Sequence, residues 1–415
     1  MGRFIVGFVA FIVGLAAQAP LDQTTNALIQ NTSVKAALAS AKASEPQTIE
    51  DQIRFSEIPS PPFKETVRAE EVRRAFLALG LRNVRIDKAG NVLAERPGTS
   101  PHPHVVLAAH LDSVFPEGTN VKVRRIGAVL HGPGVGDDSR GLAVLIAIAR
   151  ALNDANVQTA GSITFVGDVG EEGLGDLRGM KQLFDDTLKG TVDSFVSVDG
   201  SGLDIASTFV GSRRYRVTFK GPGGHAFADF GRPNPANALG RAAAKLADIR
   251  VPSTPPTSFN IGRIGGGTAV NAIPVEAWME VDLRSVDRRV LQTLDADFQK
   301  AVDAAVTEEN ARWNTPGMLT VTKERVGDRP AGSTASDTPI VRTAAAVTRA
   351  IGGVPISSVS SSDANYPGSL GIPAVEIGGG GQGANVHVLT ESFDTTNSWL
   401  GTQRALLLTI ALAQR

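Results

Sequence analysis

The sequence of 415 residues contains no cysteine. Disulfide bonds, thiolate catalysis and cysteine-ligated zinc sites are therefore excluded. No long basic run is present and the formal net charge is -1 at pH 7, so the chain lacks the electrostatic signature of a nucleic-acid-binding protein. Histidine is scarce, with six residues, which makes each position informative. A hydrophobic fraction of 42% is ordinary for a globular protein and, at this length, allows two domains with their own cores.

The N-terminus has no apolar run long enough for a typical membrane-spanning helix. Arg3 is followed by the apolar residues 4–17, which fall short of the ~20 residues that a spanning helix needs. Small residues follow, and the sequence AQA at residues 17–19 fits a cleavage site. We therefore predict a signal peptide at residues 1–19 that exports the chain to the periplasm or to the medium. Anchoring in the membrane by an uncleaved signal is the alternative.

Apolar segments of strand length alternate with helical patterns in two separate parts of the chain. The pattern predicts strands at residues 104–110, 162–168, 193–199 and 373–378, and helices at 141–152, at 338–351 and from about 393. Such alternation is typical of parallel strands covered on both faces by helices. We expect residues 46–210 and 326–415 to form one α/β domain, preceded by a loose lead-in helix at residues 20–45.

The pattern changes near residue 211, where "RRYRVTFKG" alternates polar and apolar residues as a sheet with one exposed face does. The segments that follow predict a helix from Asn234, strands at 258–266 and 276–285, a helix at 287–308 and a strand at 319–327. An order of strand, helix, two strands, helix and strand is typical of a ferredoxin-like unit. We interpret residues 211–325 as a second domain inserted into the first.

Histidines and carboxylates fall at or after the C-terminal ends of the predicted parallel strands. They are His110, Asp137, Glu172, Asp199 and His387. This edge of an open α/β sheet is where functional sites lie. Taken alone, the Asp137–Asp138 pair could simply cap a helix, but the common position of all five residues outweighs that interpretation. Crowded carboxylates repel one another, and mixed histidine and carboxylate ligands suit zinc, with cobalt or manganese as alternatives.

Two adjacent glutamates, Glu171 and Glu172, follow the strand at residues 162–168. Considered alone, such a pair is typical of a solvated loop. Beside a metal centre, one glutamate can bind metal while the other accepts a proton. The charge of two Zn²⁺ ions would balance three ligand carboxylates and a bridging hydroxide. The free glutamate would deprotonate that water and later protonate the leaving amine.

Six motifs occur in a characteristic order: "HLDSV", "GPGVGDDSRG", "GEEG", "SVDG", "GPGGHAF" and "ANVHVLTE". Together they resemble those of the co-catalytic di-zinc exopeptidases and deacylases that include peptidase T, glutamate carboxypeptidase and succinyl-diaminopimelate desuccinylase. The likeness extends from about residue 48 to the end, and "SSSDANYPGSLGIP" resembles the peptidase T branch more than the carboxypeptidase branch. The resemblance implies an α/β fold with a zinc-peptidase-like three-layer catalytic domain and an inserted ferredoxin-like α+β lid or dimerisation domain.

The resemblance also implies a ligand set for two Zn²⁺ ions per chain. His110, Asp137 and Asp199 would hold one zinc. Asp137, Glu172 and His387 would hold the other, so that Asp137 bridges the two ions.

Further roles follow from the resemblance. Glu171 matches the general base, and Asp112 matches the residue that orients the histidine two positions before it. His225, in the inserted domain, matches a histidine that stabilises the tetrahedral oxyanion and that, in dimeric members, can come from the partner subunit. Asn271 and Arg284 match residues that bind the carbonyl or carboxylate of the substrate, and Asp363 is expected to line the site.

These observations predict an exported zinc aminopeptidase of the peptidase T type that hydrolyses small peptides. An N-acyl-amino-acid deacylase or a carboxypeptidase with the same centre is the alternative within hydrolases, and an exported binding protein on the same fold is the non-enzymatic one. The chain has neither the G-x-S-x-G elbow of a serine hydrolase after a strand nor the G-x-x-x-x-G-K loop that binds phosphate. A homodimer through the inserted domain is expected as well.

Overall fold

A computed structural model of the chain describes residues 23–315 and 317–414. The predicted signal peptide, residues 1–19, lies outside the described residues. The chain divides into two compact units, one made of the residues up to Phe209 and from Ser333 onwards, the other of Val210–Gly332. In the part of the chain that is described, no helix combines the length and the apolar character needed to cross a membrane.

The helices and strands are numbered in chain order. After helical residues 23–30, the helices are α1 (Thr32–Ala43), α2 (Glu45–Ser56), α3 (Thr66–Ala78), α4 (Ser139–Asp154), α5 (Arg178–Gln182), α6 (Pro235–Ala247), α7 (Arg288–Arg312), α8 (Pro339–Ala350), α9 (Asn365–Ser369) and α10 (Trp399–Ala413). The strands are β1 (Arg82–Ile86), β2 (Val92–Arg96), β3 (Val105–His110), β4 (Arg124–Ile126), β5 (Val129–His131), β6 (Ile163–Asp168), β7 (Ser194–Val198), β8 (Asp204–Phe209), β9 (Gly211–Lys220), β10 (Gly224–His225), β11 (Thr257–Gly266), β12 (Ala272–Ile273), β13 (Glu276–Ser285), β14 (Thr320–Arg329), β15 (Gly332–Ser333), β16 (Ile356–Ser360), β17 (Ala374–Ile377), β18 (Gln382–Ala384) and β19 (Ser392–Asp394).

The first unit is built around one large sheet with the strand order β1-β2-β6-β3-β7-β17-β8-β15, and β16 pairs with β8. Its central strands β6, β3, β7 and β17 are parallel. Alternate residues of β3 pack into different layers: Val105 and Leu107 contact the core formed with α1, α3, α4 and α10. Val106 and Ala108 belong to the core on the other face, which includes Phe184. The predicted three-layer α/β fold is confirmed.

Two features of this unit differ from the predictions. The lead-in segment is not loose, because α1 buries Val34 and Leu38 in the main core and packs on α4 and α10. The last helix begins at Trp399 rather than near residue 393. Phe393 is fully buried in β19 and pairs with Leu130 of β5, so tertiary packing holds this segment as a strand.

The second unit is a four-stranded antiparallel sheet of order β11-β13-β9-β14, with α6 and α7 packed on one face. Tyr215 and Phe219 point into that face, where they contact the two helices. Asn234 caps α6 as predicted, since its side chain accepts the N–H of Ala236 at 2.8 Å. The order of elements is that of a ferredoxin-like fold, which confirms the predicted class. This unit reaches Gly332, beyond the expected end at residue 325.

Candidate metal centre

Parallel strands bring the predicted ligands to one edge of the large sheet. His110 is the last residue of β3, and Asp199 directly follows β7. Glu171 and Glu172 follow β6, which lies beside β3. The carboxyl ends of these strands meet at the same edge, where open α/β sheets hold their sites.

The first group of ligand atoms surrounds the Nε2 atom of His110. This nitrogen lies 2.9 Å from Oδ1 of Asp137 and 4.0 Å from Oδ1 of Asp199. The ligand atoms of the three residues all fall within 4.8 Å of one another. They come from β3, from the loop before α4 and from the end of β7, so residues far apart in sequence converge here.

The second group shares Asp137 with the first. Nε2 of His387 lies 2.9 Å from Oδ2 of Asp137 and 2.9 Å from Oε1 of Glu172. Asp137 therefore presents one oxygen to each histidine, which is the geometry of a carboxylate that bridges two cations. The structure brings together all five residues that the sequence predicted as metal ligands.

The donor set fits metal ions. Nδ1 of His110 lies 3.1 Å from the main-chain oxygen of Asp112, to which it donates, and this hydrogen bond leaves the lone pair of a neutral ring on Nε2. Against the effect of burial, interactions with Asp112 and Asp137 raise the pKa of His110 well above its usual range, so a positive charge, either a proton or a metal ion, is favoured between Nε2 and Asp137. Imidazole and carboxylate ligands together suit Zn²⁺ and other divalent transition metals.

The electrostatics of the cluster also favour cations. Burial raises the pKa of Asp199 well above its usual range, and the charges of Asp137 and Asp138 raise it further. Burial raises the pKa of Glu172 to about 7. Hydrogen bonds to Asp137 and Glu172 raise the pKa of His387 to about 10. The cluster thus concentrates more negative charge than burial tolerates, which a divalent cation relieves.

Comparison with known proteins decides the family. Residues 106–412, well over half of the chain, match peptidase family M20/M25/M40. The chain belongs to this family. It is therefore a metal-dependent hydrolase of peptide and related amide bonds, as predicted.

Individual members of the M20 family are similar to this chain over most of its length. A succinyl-diaminopimelate desuccinylase from Corynebacterium glutamicum is 27% identical over 280 residues, which cover 64% of this chain and 75% of the relative. The solved structure of a tripeptidase from Staphylococcus aureus has a TM-score of 0.73 at 23% identity and covers 89% of this chain and 99% of its own. That of aminopeptidase PepT from Bacillus cereus has a TM-score of 0.71 at 21% identity, with the same coverage of 89% and 99%.

Asp112 of this M20-family chain has a different set of contacts from the one expected. Its carboxylate lies 3.7 Å from Nδ1 of His110, whereas the main-chain oxygen of Asp112 lies 3.1 Å from the same nitrogen. Instead, the carboxylate accepts the N–H groups of Gly170, Glu171 and Glu172 at 3.0, 3.1 and 2.8 Å. Asp112 therefore supports the histidine through its backbone and fixes the loop of the two glutamates through its side chain.

The two glutamates occupy similar environments. Glu171 is 5% exposed and Glu172 is 6% exposed, so neither belongs to a solvated loop. Only Glu172 makes the short contact with His387. An oxygen of Glu171 nevertheless lies within 4.8 Å of ligand atoms of His110 and Glu172, which is close enough to act on a molecule bound at the centre.

Asp363 does not lie open to the site, although the resemblance implied that it lines it. It is 1% exposed and faces Asp168, the last residue of β6. Within residues 23–315 and 317–414, no third residue donates a hydrogen bond to the carboxyl group of Asp168 or to that of Asp363. Burial, together with the charge of Asp168, raises the pKa of Asp363 well above its usual range.

The other predicted residues belong to the second unit. His225 ends β10, where it pairs with Ala272, and Asn271 directly precedes β12; the N–H of Ala226 donates to the main-chain oxygen of Asn271 at 2.9 Å. Arg284 lies on β13, eight residues after Glu276, the first residue of that strand. Eight residues correspond to ~26 Å along a strand, so Arg284 lies far from the end of β13 that follows Asn271 in the chain. Its Nε donates to Asp282 at 2.7 Å. The structure therefore places the backbone segments of His225 and Asn271 side by side but does not place Arg284 beside them within this unit.

Two further carboxylates organise the centre: Asp138, which the sequence offered only as part of a helix cap, and Glu391, which sequence reasoning missed. Asp138 caps α4 by accepting the N–H of Gly141 at 2.9 Å, and its other oxygen accepts the N–H of His110 at 3.1 Å. Glu391 is 1% exposed and binds the backbone of the loop that carries Asp137. Asp138 thus caps α4, as the sequence allowed for the Asp137–Asp138 pair, whereas only the fold reveals what Glu391 contacts.

Proposed function

We propose that this chain is an exported, zinc-dependent aminopeptidase that hydrolyses small peptides in the manner of peptidase T. The observation that carries the proposal is the position of Asp137 between two histidines, with one oxygen 2.9 Å from each ring. This arrangement suits a two-metal centre, and its imidazole and carboxylate donors suit zinc. Export rests on the apolar segment at residues 4–17 and the small residues that follow it.

In this proposal His110, Asp137 and Asp199 hold one zinc ion, and Asp137, Glu172 and His387 hold the other. When bound, such ions polarise the carbonyl group of the substrate and lower the pKa of water. The remaining chemistry belongs to side chains of the protein.

Glu171 is the proton carrier in the proposed reaction. It is buried beside the ligands, and Asp112 holds its backbone N–H at 3.1 Å, so its carboxylate is kept close to the centre. From there it accepts a proton from the attacking water and delivers it to the amine that leaves. A positioned general base of this kind typically contributes ~10²–10⁴-fold in rate.

His225 is suited to donate a hydrogen bond to the oxyanion. Its Nδ1 accepts the N–H groups of Phe227 and Ala228, each at 3.2 Å. These two contacts place the proton of a neutral ring on Nε2, which is the tautomer that can donate to developing negative charge. The exposed position of His225 leaves that donor available to a substrate.

Two observations bear on the substrate. The chain is similar in structure to a tripeptidase and to an aminopeptidase, and this similarity supports a peptide with a free amino terminus. The 27% identity to a desuccinylase is what supports the second candidate, an N-acyl-amino-acid deacylase.

A substrate panel tests the proposal. Zinc-loaded protein is incubated with di- and tripeptides, with the same peptides acetylated at the amino terminus, and with N-acetyl and N-succinyl amino acids, and the released amino acids are quantified. We expect hydrolysis of the free peptides and little of the acetylated ones. Preferential cleavage of the N-acyl amino acids would instead establish the deacylase.

Metal content tests the centre independently of substrate choice. Protein purified without chelator and loaded with zinc should contain about two zinc ions per chain by elemental analysis, because the five ligands form two groups that share Asp137. Near-zero zinc in a protein with an intact far-UV circular dichroism spectrum would refute the two-metal centre.

A further inference from the structure

Glu391 joins two loops that carry ligands of the metal centre. It lies four residues after His387 and is 1% exposed. Its Oε2 accepts the N–H of Gly134 at 2.8 Å, and its Oε1 accepts the N–H groups of Gly136 and Asp137 at 2.8 and 3.1 Å. Both carboxylate oxygens are therefore committed to the backbone of the loop that presents Asp137.

A second link runs between the same two loops. The N–H of Gly132 donates to the main-chain oxygen of Glu391 at 3.0 Å. Residues 132–137 thus bind Glu391 at four points, and three of these hydrogen bonds are made to a charged acceptor. Hydrogen bonds to an ionised group are roughly twice as strong as those between neutral groups.

The residues on either side of this link are the ligands themselves. Asp137 belongs to one loop and His387 to the other, and their side chains meet at 2.9 Å. In contrast to His110, which ends a buried strand, His387 lies in a loop between β18 and β19 with a side chain 51% exposed. Its position relative to Asp137 therefore depends on contacts between loops.

We propose that Glu391 is a positioning residue that holds Asp137 against His387. It thereby sets the metal affinity of the position formed by Asp137, Glu172 and His387. The proposal rests on the two-metal centre of the proposed function. Asp112 offers a parallel within the same fold, because its carboxylate binds the three backbone N–H groups that begin at Gly170 and end at Glu172. The loop of Asp137 and the loop of Glu172 are thus each fixed by a buried acid that has no predicted contact with metal.

Glu391→Gln tests the role in the full-length chain. The amide keeps the shape of the side chain, but its NH₂ group must face a backbone N–H that the carboxylate accepted. Changes in the outer shell of a metal site typically cost ~10–100-fold in affinity. Metal-depleted protein is titrated with Co²⁺, and binding is measured by calorimetry and by the visible absorption of the bound ion. We expect the affinity for one of the two Co²⁺ equivalents to fall by this factor.

Gly136→Ala separates position from charge. A Cβ atom at Gly136 would lie 3.2 Å from Oε1 of Glu391, so the carboxylate must shift by a few tenths of an ångström while its charge remains. We expect a smaller loss of affinity at the same equivalent. If Glu391→Gln weakens Co²⁺ binding and Gly136→Ala leaves it unchanged, the effect is one of charge alone and the positioning role is wrong.

Ile163→Val controls for a general loss of stability. Ile163 is fully buried at the start of β6, the opposite end of the strand from the glutamates, and the change lowers stability by removing one methylene group from the core. This variant should bind both Co²⁺ equivalents as the wild type does. Equal losses of affinity in all three variants, or wild-type affinity in Glu391→Gln, would overturn the proposal. A wild-type chain that binds fewer than two equivalents would overturn the two-metal centre as well.

Discussion

The exchange of each adjacent glutamate for glutamine tests the division of labour at the centre. Both side chains are nearly buried, and Asp112 holds both backbone N–H groups, so neither change should move the loop. The difference between the two lies in the second ligand group, because only Glu172 lies 2.9 Å from His387. Glu171→Gln should therefore affect the chemistry, and Glu172→Gln should affect the metal.

The expected magnitudes differ accordingly. Glu171→Gln removes the proton acceptor and should lower kcat by ~10²–10⁴-fold, which corresponds to ~2.7–5.4 kcal/mol in the activation barrier. Its zinc content should remain close to that of the wild type. Glu172→Gln removes a ligand charge beside His387 and should weaken one zinc position by more than the ~10–100-fold typical of an outer-shell change.

The assay measures zinc content and kcat side by side at limiting and at excess zinc. Excess zinc should restore part of the activity of Glu172→Gln and none of that of Glu171→Gln. If Glu171→Gln loses zinc while Glu172→Gln keeps it, the two roles are reversed, which the proximity of Glu171 to His110 also permits. If neither change slows hydrolysis more than a few-fold, the general-base assignment is wrong.

Three further predictions follow from other parts of the structure. A chain in which a short Gly-Ser linker replaces residues 210–332 should still bind zinc but should not hydrolyse peptides, since His225 is lost; retained turnover would contradict the role of the second unit. Burial raises the pKa of Asp168 to about 7, so metal-depleted wild type should lose a few kcal/mol of stability as the pH rises from about 4 to about 7, because the unfolded chain ionises first. Asp168→Asn should reduce the slope of that dependence in urea unfolding, to which other buried acids such as Asp363 also contribute, and an unchanged slope would exclude Asp168 as a source. Arg140→Met leaves Glu45 buried without its partner at 2.9 Å and should cost ~3–5 kcal/mol in thermal unfolding, part of which a second change, Glu45→Gln, should recover.

Much of the fold could be predicted because local chemistry and tertiary structure agree. The apolar runs of β3 and β6 are buried at every position, as strands covered on both faces must be. Asn234 before Pro235 predicted the start of α6, and the alternation in β9 predicted a sheet with one covered face. Where a segment has no such pattern of its own, as at β19, the prediction was wrong.

The sequence by itself determined which residues can bind metal. Histidine and carboxylates after successive parallel strands must meet at one edge of a sheet, so His110, Glu172 and Asp199 could be grouped before any coordinates were known. Their grouping needs only parallel strand direction, because the carboxyl ends of parallel strands lie at one edge whatever the order of the strands.

Only the tertiary structure decided how those ligands are held. The contacts of Asp112 and Glu391 with backbone N–H groups, and the pairing of Asp363 with Asp168, join segments distant in sequence. A carboxylate shows no sign in its local sequence of whether it will face a metal, a backbone amide or another acid, because that depends on which loop the fold places opposite it.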